Sequence, residues 1–210
     1  MDKHYATSKR QALESCTGES SKKGNTDRAV FRYMTQKVHV MMYAFDTLVS
    51  MSQPSVSYLE ERRGRTHRIA IYNALALMQS QDLSFVGFVS KKRKLIDPLM
   101  ENELWKVDKL LLTELPNIPG LLGYCSLELR SGCWYNLVLL SHLDAKAHFK
   151  ELGTHSYAAY QLAPAYYEWI RLHSGTLPGG LAGNTFVLHS TKYYTFVGVG
   201  QGISMQERIY

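Results

Sequence analysis

Residues 121–141, LLGYCSLELRSGCWYNLVLLS, decide the fold. Two apolar runs flank a short polar Ser-Gly turn, which predicts a β-hairpin. On its second strand Trp134, Asn136, Val138 and Leu140 project to one side, and Tyr135, Leu137, Leu139 and Ser141 to the other. Both sides carry large apolar groups, so both faces of the sheet must be covered.

Working outward, Leu83–Ser90 (LSFVGFVS) is short, apolar and rich in valine and aromatics, and reads as a strand. Asp97-Pro98 is a helix start, with Asp97 as N-cap and Pro98 at the first helical position. Met100, Leu104, Val107, Leu111 and Leu115 then recur at spacings of three and four, so one helix face packs on the sheet. Pro116 and Pro119-Gly120 end that helix. After the hairpin, a helical stretch runs from Asp144 to Leu162 with a break near Gly153. Pro164 biases Ala163 away from helix, so Tyr166–Ser174 (YYEWIRLHS) reads as a strand. The connection GTLPGGLAGN leads to a last strand, Thr185–Val197.

The first 82 residues are read less regularly. Met1 to Thr26 is Ser, Lys, Gly, Thr and Glu with few large apolar groups, which predicts a disordered or loosely attached tail. Lys37–Val49 (KVHVMMYAFDTLV) is rich in β-branched and aromatic residues and reads as a strand. Residues 55–81 place Ile69, Tyr72, Leu75, Ala76 and Met78 near one helical face, in one helix or in two meeting at Gly64. The division is a tail over 1–26, a strand-helix extension over 27–82, a domain over 83–197 and a tail over 198–210. From residue 83 the order is strand, helix, strand, strand, helix, strand, the split βαβ order of a ferredoxin-like α+β domain with one further strand. Its helices cover one sheet face, and a partner subunit is the economical cover for the other.

With 210 residues and 45% hydrophobic content the chain can bury a core. No apolar run approaches a membrane span and Met1 to Arg10 lacks a secretory apolar stretch, so the expectation is a soluble cytoplasmic protein without membrane attachment. Cys16, Cys125 and Cys133 form neither a disulfide framework nor a zinc pattern, although a Cys125–Cys133 bridge is an alternative. Net charge is +6, but residues 1–97 hold 16 Lys+Arg against 9 Asp+Glu while residues 98–197 hold 7 against 8. The basic excess lies in the leader, in Arg62, Arg63, Arg65 and Arg68, and in Lys91–Lys94, so nucleic-acid binding is disfavoured and RNA association through those segments is a third reading. Phosphate-loop, dinucleotide, HExxH and GxSxG patterns are absent. His142 and His148, six apart around Asp144, lack metal-site spacing, and a metal centre is not expected.

ELPNIPGLLGY, WYNLVLLS, DAKAHF, THSYAAYQLAP, YYEWIRLHSGTLPGG and FVLHSTKYYTF together resemble the dimeric α/β-barrel superfamily, which includes antibiotic-biosynthesis-type monooxygenases and haem-degrading oxygenases. The chain is similar to bacterial members that share a LAP–YY–RLHSG–LPGG ending, over residues 83–197. The resemblance implies a homodimer and a small-molecule pocket between the open sheet face and the helices. Candidate catalytic residues are His155, Asn136 and Arg171, with Tyr124, Trp134, Tyr157 and His173 as substrate-binding candidates.

A wall of aromatics with few polar groups suits a small planar ligand. A neutral imidazole accepts a proton or ligates haem iron, and Asn136 or Arg171 holds a developing oxyanion. Each residue also has a structural reading: His155 near a helix start capped by Thr154, Asn136 as a satisfied buried amide, Arg171 and His173 on a face meeting solvent or a partner. The functional expectation is an oxygenase-like enzyme for a planar organic substrate, either cofactor-free or haem-dependent. The alternative is a non-catalytic ligand-binding or assembly module whose sheet face is plugged by residues 38–80.

Overall fold

The structure is a computed structural model that describes residues 24–43, 54–129, 132–183, 185–196 and 203–210. It is α+β, built on an eight-stranded sheet in which every neighbouring pair is antiparallel. In chain order the strands are β1 (Ser55–Glu61), β2 (Arg65–Ile71), β3 (Asp82–Lys92), β4 (Leu121–Leu129), β5 (Cys133–Leu140), β6 (Tyr167–Pro178), β7 (Val187–Phe196) and β8 (Ile203–Ile209). In space they run β1-β2-β4-β5-β3-β6-β7-β8. The hairpin at 121–141 is β4–β5, with Cys125 opposite Leu137 and Leu127 opposite Tyr135.

The helices are α1 over residues 24–42, α2 (Ala74–Gln79), α3 (Pro98–Glu114), α4 (Gly153–Tyr157), α5 (Ala163–Tyr166) and α6 (Gly180–Gly183). Asp97 caps α3 as expected, its carboxylate accepting the Leu99 N–H at 2.9 Å. The expected break near Gly153 separates 3₁₀ turns at Leu143–Glu151 from α4. A π turn at Ala158–Leu162 then joins α4 to α5. Helix therefore continues through Pro164, and strand β6 begins at Tyr167, one residue later than expected. Pro164 follows the π turn, within the first turn of α5.

Three expectations for the remainder of the chain are corrected. Residues 37–42 are helix rather than strand, because Phe31, Met34, Val38 and Met42 form a stripe at helical spacing that is fully buried. Residues 44–49 of that expected strand lie outside the described residues. The tail does not extend to residue 26, since α1 is already helical at 24 and Asp27 is buried. Residues 55–71 form a hairpin rather than helix. Its connection carries positive φ at Arg63 (71°) and at Gly64 (67°), a conformation helix excludes and glycine adopts freely. The segment 198–210, which gave no element in sequence, supplies β8 on the edge beside β7.

Helix α1 lies across one face of the sheet. Its stripe packs with Ile69, Phe85, Val89, Cys125, Leu137, Leu139 and Leu177, the inner residues of β2 to β6. The open sheet face from which a face-to-face dimer was expected is thus covered by the chain itself. Contact is closest at Gly87, where a Cβ would overlap the Phe31 ring. Gly87→Ala should therefore cost about 1–3 kcal/mol in denaturant titration. That cost should shrink in a Phe31→Ala background, a coupling read by a double-mutant cycle.

The opposite face is covered by α3, the 3₁₀ turns and α4–α5, through clusters containing Ala70, Tyr72, Leu115, Leu140 and Ala145, and Ala163, Ile170 and Phe196. Among the described residues no helix is long and apolar enough to cross a membrane. Cys125 and Cys133 are not joined by a disulfide, and burial pushes the Cys125 thiol up to about 12.

Candidate functional site

The expected site residues fall on opposite sides of the sheet. Strand alternation sends Arg171 and His173 of β6 to the α1 side, whereas Tyr124, Trp134 and Asn136 face α3. His155 and Tyr157 belong to α4, on the α3 side. Tyr157 points out, with 42% of its surface exposed.

On the α1 side, Arg171 and His173 meet a residue that sequence reasoning missed. Asp27 of α1 accepts Arg171 Nε at 2.7 Å and Arg171 Nη2 at 2.8 Å, a bidentate pair. Tyr135 Oη donates to the same carboxylate at 2.9 Å, and His173 Nε2 lies 3.0 Å from it. His173 Nδ1 is 2.8 Å from Thr191 Oγ1, which is 3.2 Å from Tyr210 Oη. Burial alone would raise the Asp27 pKa, but hydrogen bonds from His173 and Arg171 and their charges hold it below the ordinary carboxylate value. Carboxylate, imidazole and hydroxyl in this order also make a hydrolase triad. Here Asp27 and Thr191 are 0% exposed and His173 1%, so no substrate carbonyl reaches the hydroxyl. The arrangement locks α1 and β7 onto the sheet.

A second clamp holds the other edge of α1. Tyr33 Oη donates to Glu61 at 2.5 Å, and Glu61 Oε1 lies 3.4 Å from His67 Nδ1. Burial of His67 lowers its pKa, which favours the neutral ring.

Buried polar atoms without hydrogen-bond partners among the described residues occur at Glu61 and His67 on the α1 side, and a larger group of them stands on the α3 side. Asn136 lies opposite Ser126 on β4 and Phe88 on β3, with Tyr124 opposite Val138 one step along the same face. Val86, Phe88, Tyr124, Asn136, Val138 and Leu172 remain half-buried, although their strands are central and the alternate positions Phe85, Val89, Leu137 and Leu139 are fully buried. The helices thus leave a shallow apolar floor incompletely covered. Asn136 Oδ1, Tyr72 Oη and His155 Nδ1 are buried on this side with no hydrogen-bond partner among the described residues. Such orphaned groups are uncommon in folded interiors and point to something that binds there.

Around them the electrostatics are fixed. Arg68 forms a bidentate pair with Asp108 of α3 at 2.7 and 2.9 Å and stacks 5.5 Å over the Tyr124 ring. Burial pushes the Tyr124 phenol up to about 12 and raises those of Tyr72 and Tyr167 as well, so all three are neutral donors near pH 7. The His155 ring meets Phe149 edge-on at 5.7 Å, and burial lowers its pKa so the neutral imidazole dominates. Thr154 Oγ1 donates to Glu114 at 2.8 Å, which fixes α4 to the end of α3. Trp134 packs edge-on against Trp105 at 6.1 Å and Tyr167 against Phe88 at 5.7 Å. None of Arg68, Asp108, Tyr72 and Tyr167 was among the site residues expected from sequence.

The donor set suits haem poorly. Haem carboxylates are commonly held by cations, and three of the cations on this side are committed: Arg68 to Asp108, Lys92 to Glu101, and Arg93 to the Pro164 and Phe196 carbonyls. The same pairings occupy half of the Lys91–Lys94 run that suggested RNA. The basic leader lies mostly outside the described residues.

Fold and site define an α+β protein with an eight-stranded antiparallel sheet, locked by α1 on one face and bearing an incompletely covered polar and aromatic floor on the other. Compared with known proteins, the chain matches no family model, no curated protein and no solved structure.

Proposed function

We propose that the floor between the sheet and α3–α4 binds a small planar organic molecule, and that the protein acts on it as an oxygenase-like enzyme without haem. The observation that carries this reading is the set of buried, unpartnered polar atoms, Asn136 Oδ1, Tyr72 Oη and His155 Nδ1, on one half-covered aromatic face. In this reading the neutral His155 imidazole takes a proton from an acidic hydroxyl or C–H of the ligand. The neutral phenols hold the resulting anion by donating to it, and the Asn136 amide oxygen accepts from a hydroxyl of the ligand. Dioxygen is the oxidant that the electron-rich anion reduces.

Support also comes from the strand order β4-β5-β3-β6, which with α3 and the α4–α5 segment is compatible with a split βαβ arrangement of the ferredoxin-like kind. In that arrangement α1 takes the place that a partner subunit has in the dimeric barrels. A non-catalytic binding module is the second reading, favoured by the Trp134–Trp105 and Tyr167–Phe88 contacts that fill part of the floor.

Dihydroxynaphthalene titrated into the protein, with tryptophan fluorescence and an oxygen electrode as readouts, tests both. Saturable quenching is expected in wild type, weakened at least about tenfold in Asn136→Leu, which is about 1.4 kcal/mol. Oxygen uptake is expected in wild type and lost in His155→Ala, with quenching retained. Quenching without uptake selects the binding module, and absence of both ends the reading.

A further inference from the structure

Strand β8 ends the sheet, and its backbone shows which of its groups are unused. Tyr210 N–H donates to the His189 carbonyl at 2.9 Å, in the register that places Ile209 opposite Ser190 and Gln206 opposite Tyr193. In an antiparallel ladder alternate residues turn both backbone groups toward the same neighbour. Arg208, Gln206 and Ser204 therefore bond to β7, and Ile209, Glu207, Met205 and Ile203 direct their N–H and C=O groups at the free edge. No described residue pairs with them. Ile203 is 54% exposed, Met205 51% and Ile209 72%, all on the sheet side that also carries Tyr194 and Leu172.

Among the described residues, no helix, loop or proline guards this edge strand. Proline is absent from β8, and its two charges are engaged within the chain. Glu207 pairs with Lys192 at 3.6 Å, and the Arg208 guanidinium lies 5.0 Å over the Tyr210 ring.

We infer that β8 is the surface on which a second copy of this chain docks, its β8 adding antiparallel to form one continuous sheet across a twofold axis at Gln206. The sequence ISMQERI fits itself in that register. Ile203 opposes Ile209, Met205 opposes Glu207, Ser204 opposes Arg208 and Gln206 opposes itself, so like charges never face each other. Each outward residue then meets an outward residue, so the whole unused row of donors and acceptors is satisfied at once. The apolar side chains stay on one face and extend the Tyr194–Leu172 surface of both copies. The contact is isologous, so it closes at two chains.

Light scattering and sedimentation of the full chain over a range up to about 100 μM test this. Wild type is expected to pass from the mass of one chain to that of two as concentration rises. Met205→Pro removes an N–H that β7 does not use and obstructs only the edge, so the dimer midpoint should rise at least about tenfold. Ile209→Lys, at an exposed position, should raise it comparably and serves if the proline variant loses its far-ultraviolet dichroism. A wild type that stays monomeric throughout, including one whose edge is taken by a strand from another protein, overturns the inference. So does a dimer whose midpoint neither substitution moves.

Discussion

Asp27→Ala is expected to lower stability by about 3–5 kcal/mol in denaturant titration, more than any surface change in this protein. The substitution removes one carboxylate but strands three partners. Arg171 is left as a buried guanidinium with no counter-ion, and Tyr135 Oη and His173 Nε2 lose their common acceptor. Asp27→Asn should recover part of the loss, because the amide oxygen still accepts while the charge stays unmatched.

The pH dependence separates these effects. The folded Asp27 carboxyl titrates below its ordinary value of 3.8, so its contribution is complete above about pH 4 and is lost as pH falls through the folded value. Wild type should lose stability more steeply than Asp27→Asn in that acid range. A shallower decline begins earlier. His67 and His155 have folded pKa values below 6.5, so the unfolded chain binds protons more readily as pH falls below that point. Equilibrium unfolding at pH 7.5, 5.5 and 3.5 resolves both limbs.

Phe31→Ala is expected to cost about 3–5 kcal/mol by the same measurement. Phe31 is fully buried at the centre of an aromatic group, with ring centroids 5.6 Å from His173, 5.8 Å from Tyr135, 6.3 Å from Phe85 and 6.4 Å from Phe186. Gly87 lies directly beneath it, so no side chain from the sheet can fill the space. The loss should therefore sit toward the upper end of that range. Phe31→Leu, which keeps most of the volume, should cost less than half as much.

The sheet from β3 to β7 was legible because its signals are local. β4 and β5 are apolar runs around a turn, and Asp97-Pro98 marks a helix start through groups within two residues of each other. Helix α1 was not legible, because the valines, tyrosine and methionines after Lys37 favour strand by composition. The stripe that makes them helical begins at Phe31, six residues before the stretch that was read. Residues 55–71 misled in the opposite way. Their apolar positions fit a helical face as well as an alternating one, and only the Arg63-Gly64 turn separates the two.

The site divides by the same rule. Asn136 stood out as a lone amide in an apolar strand, a contrast visible in one dimension. Arg171 and His173 were noticed as alternating polar groups, but their meaning rests on Asp27, 144 and 146 residues away. Arg68 fell on the polar side of an expected helix, and Asp108 drew no notice. The expected helix is a strand, and pairing the two residues across 40 positions requires the fold.

The span between Asp27 and its partners also sets an order of events during synthesis. Helix α1 leaves the ribosome ahead of the sheet, and the face that receives it is incomplete until β6 has followed, more than 140 residues later. At roughly 5–20 residues per second that is an interval of about 7–30 s in which an apolar stripe and a growing apolar sheet are both uncovered. Docking of α1 therefore waits on that face, and among the described residues it makes contacts across more than 140 positions, after the local hairpins are in place. The helix is made well ahead of the sheet that receives it, so vulnerability to aggregation is concentrated while β2 to β6 are still being assembled.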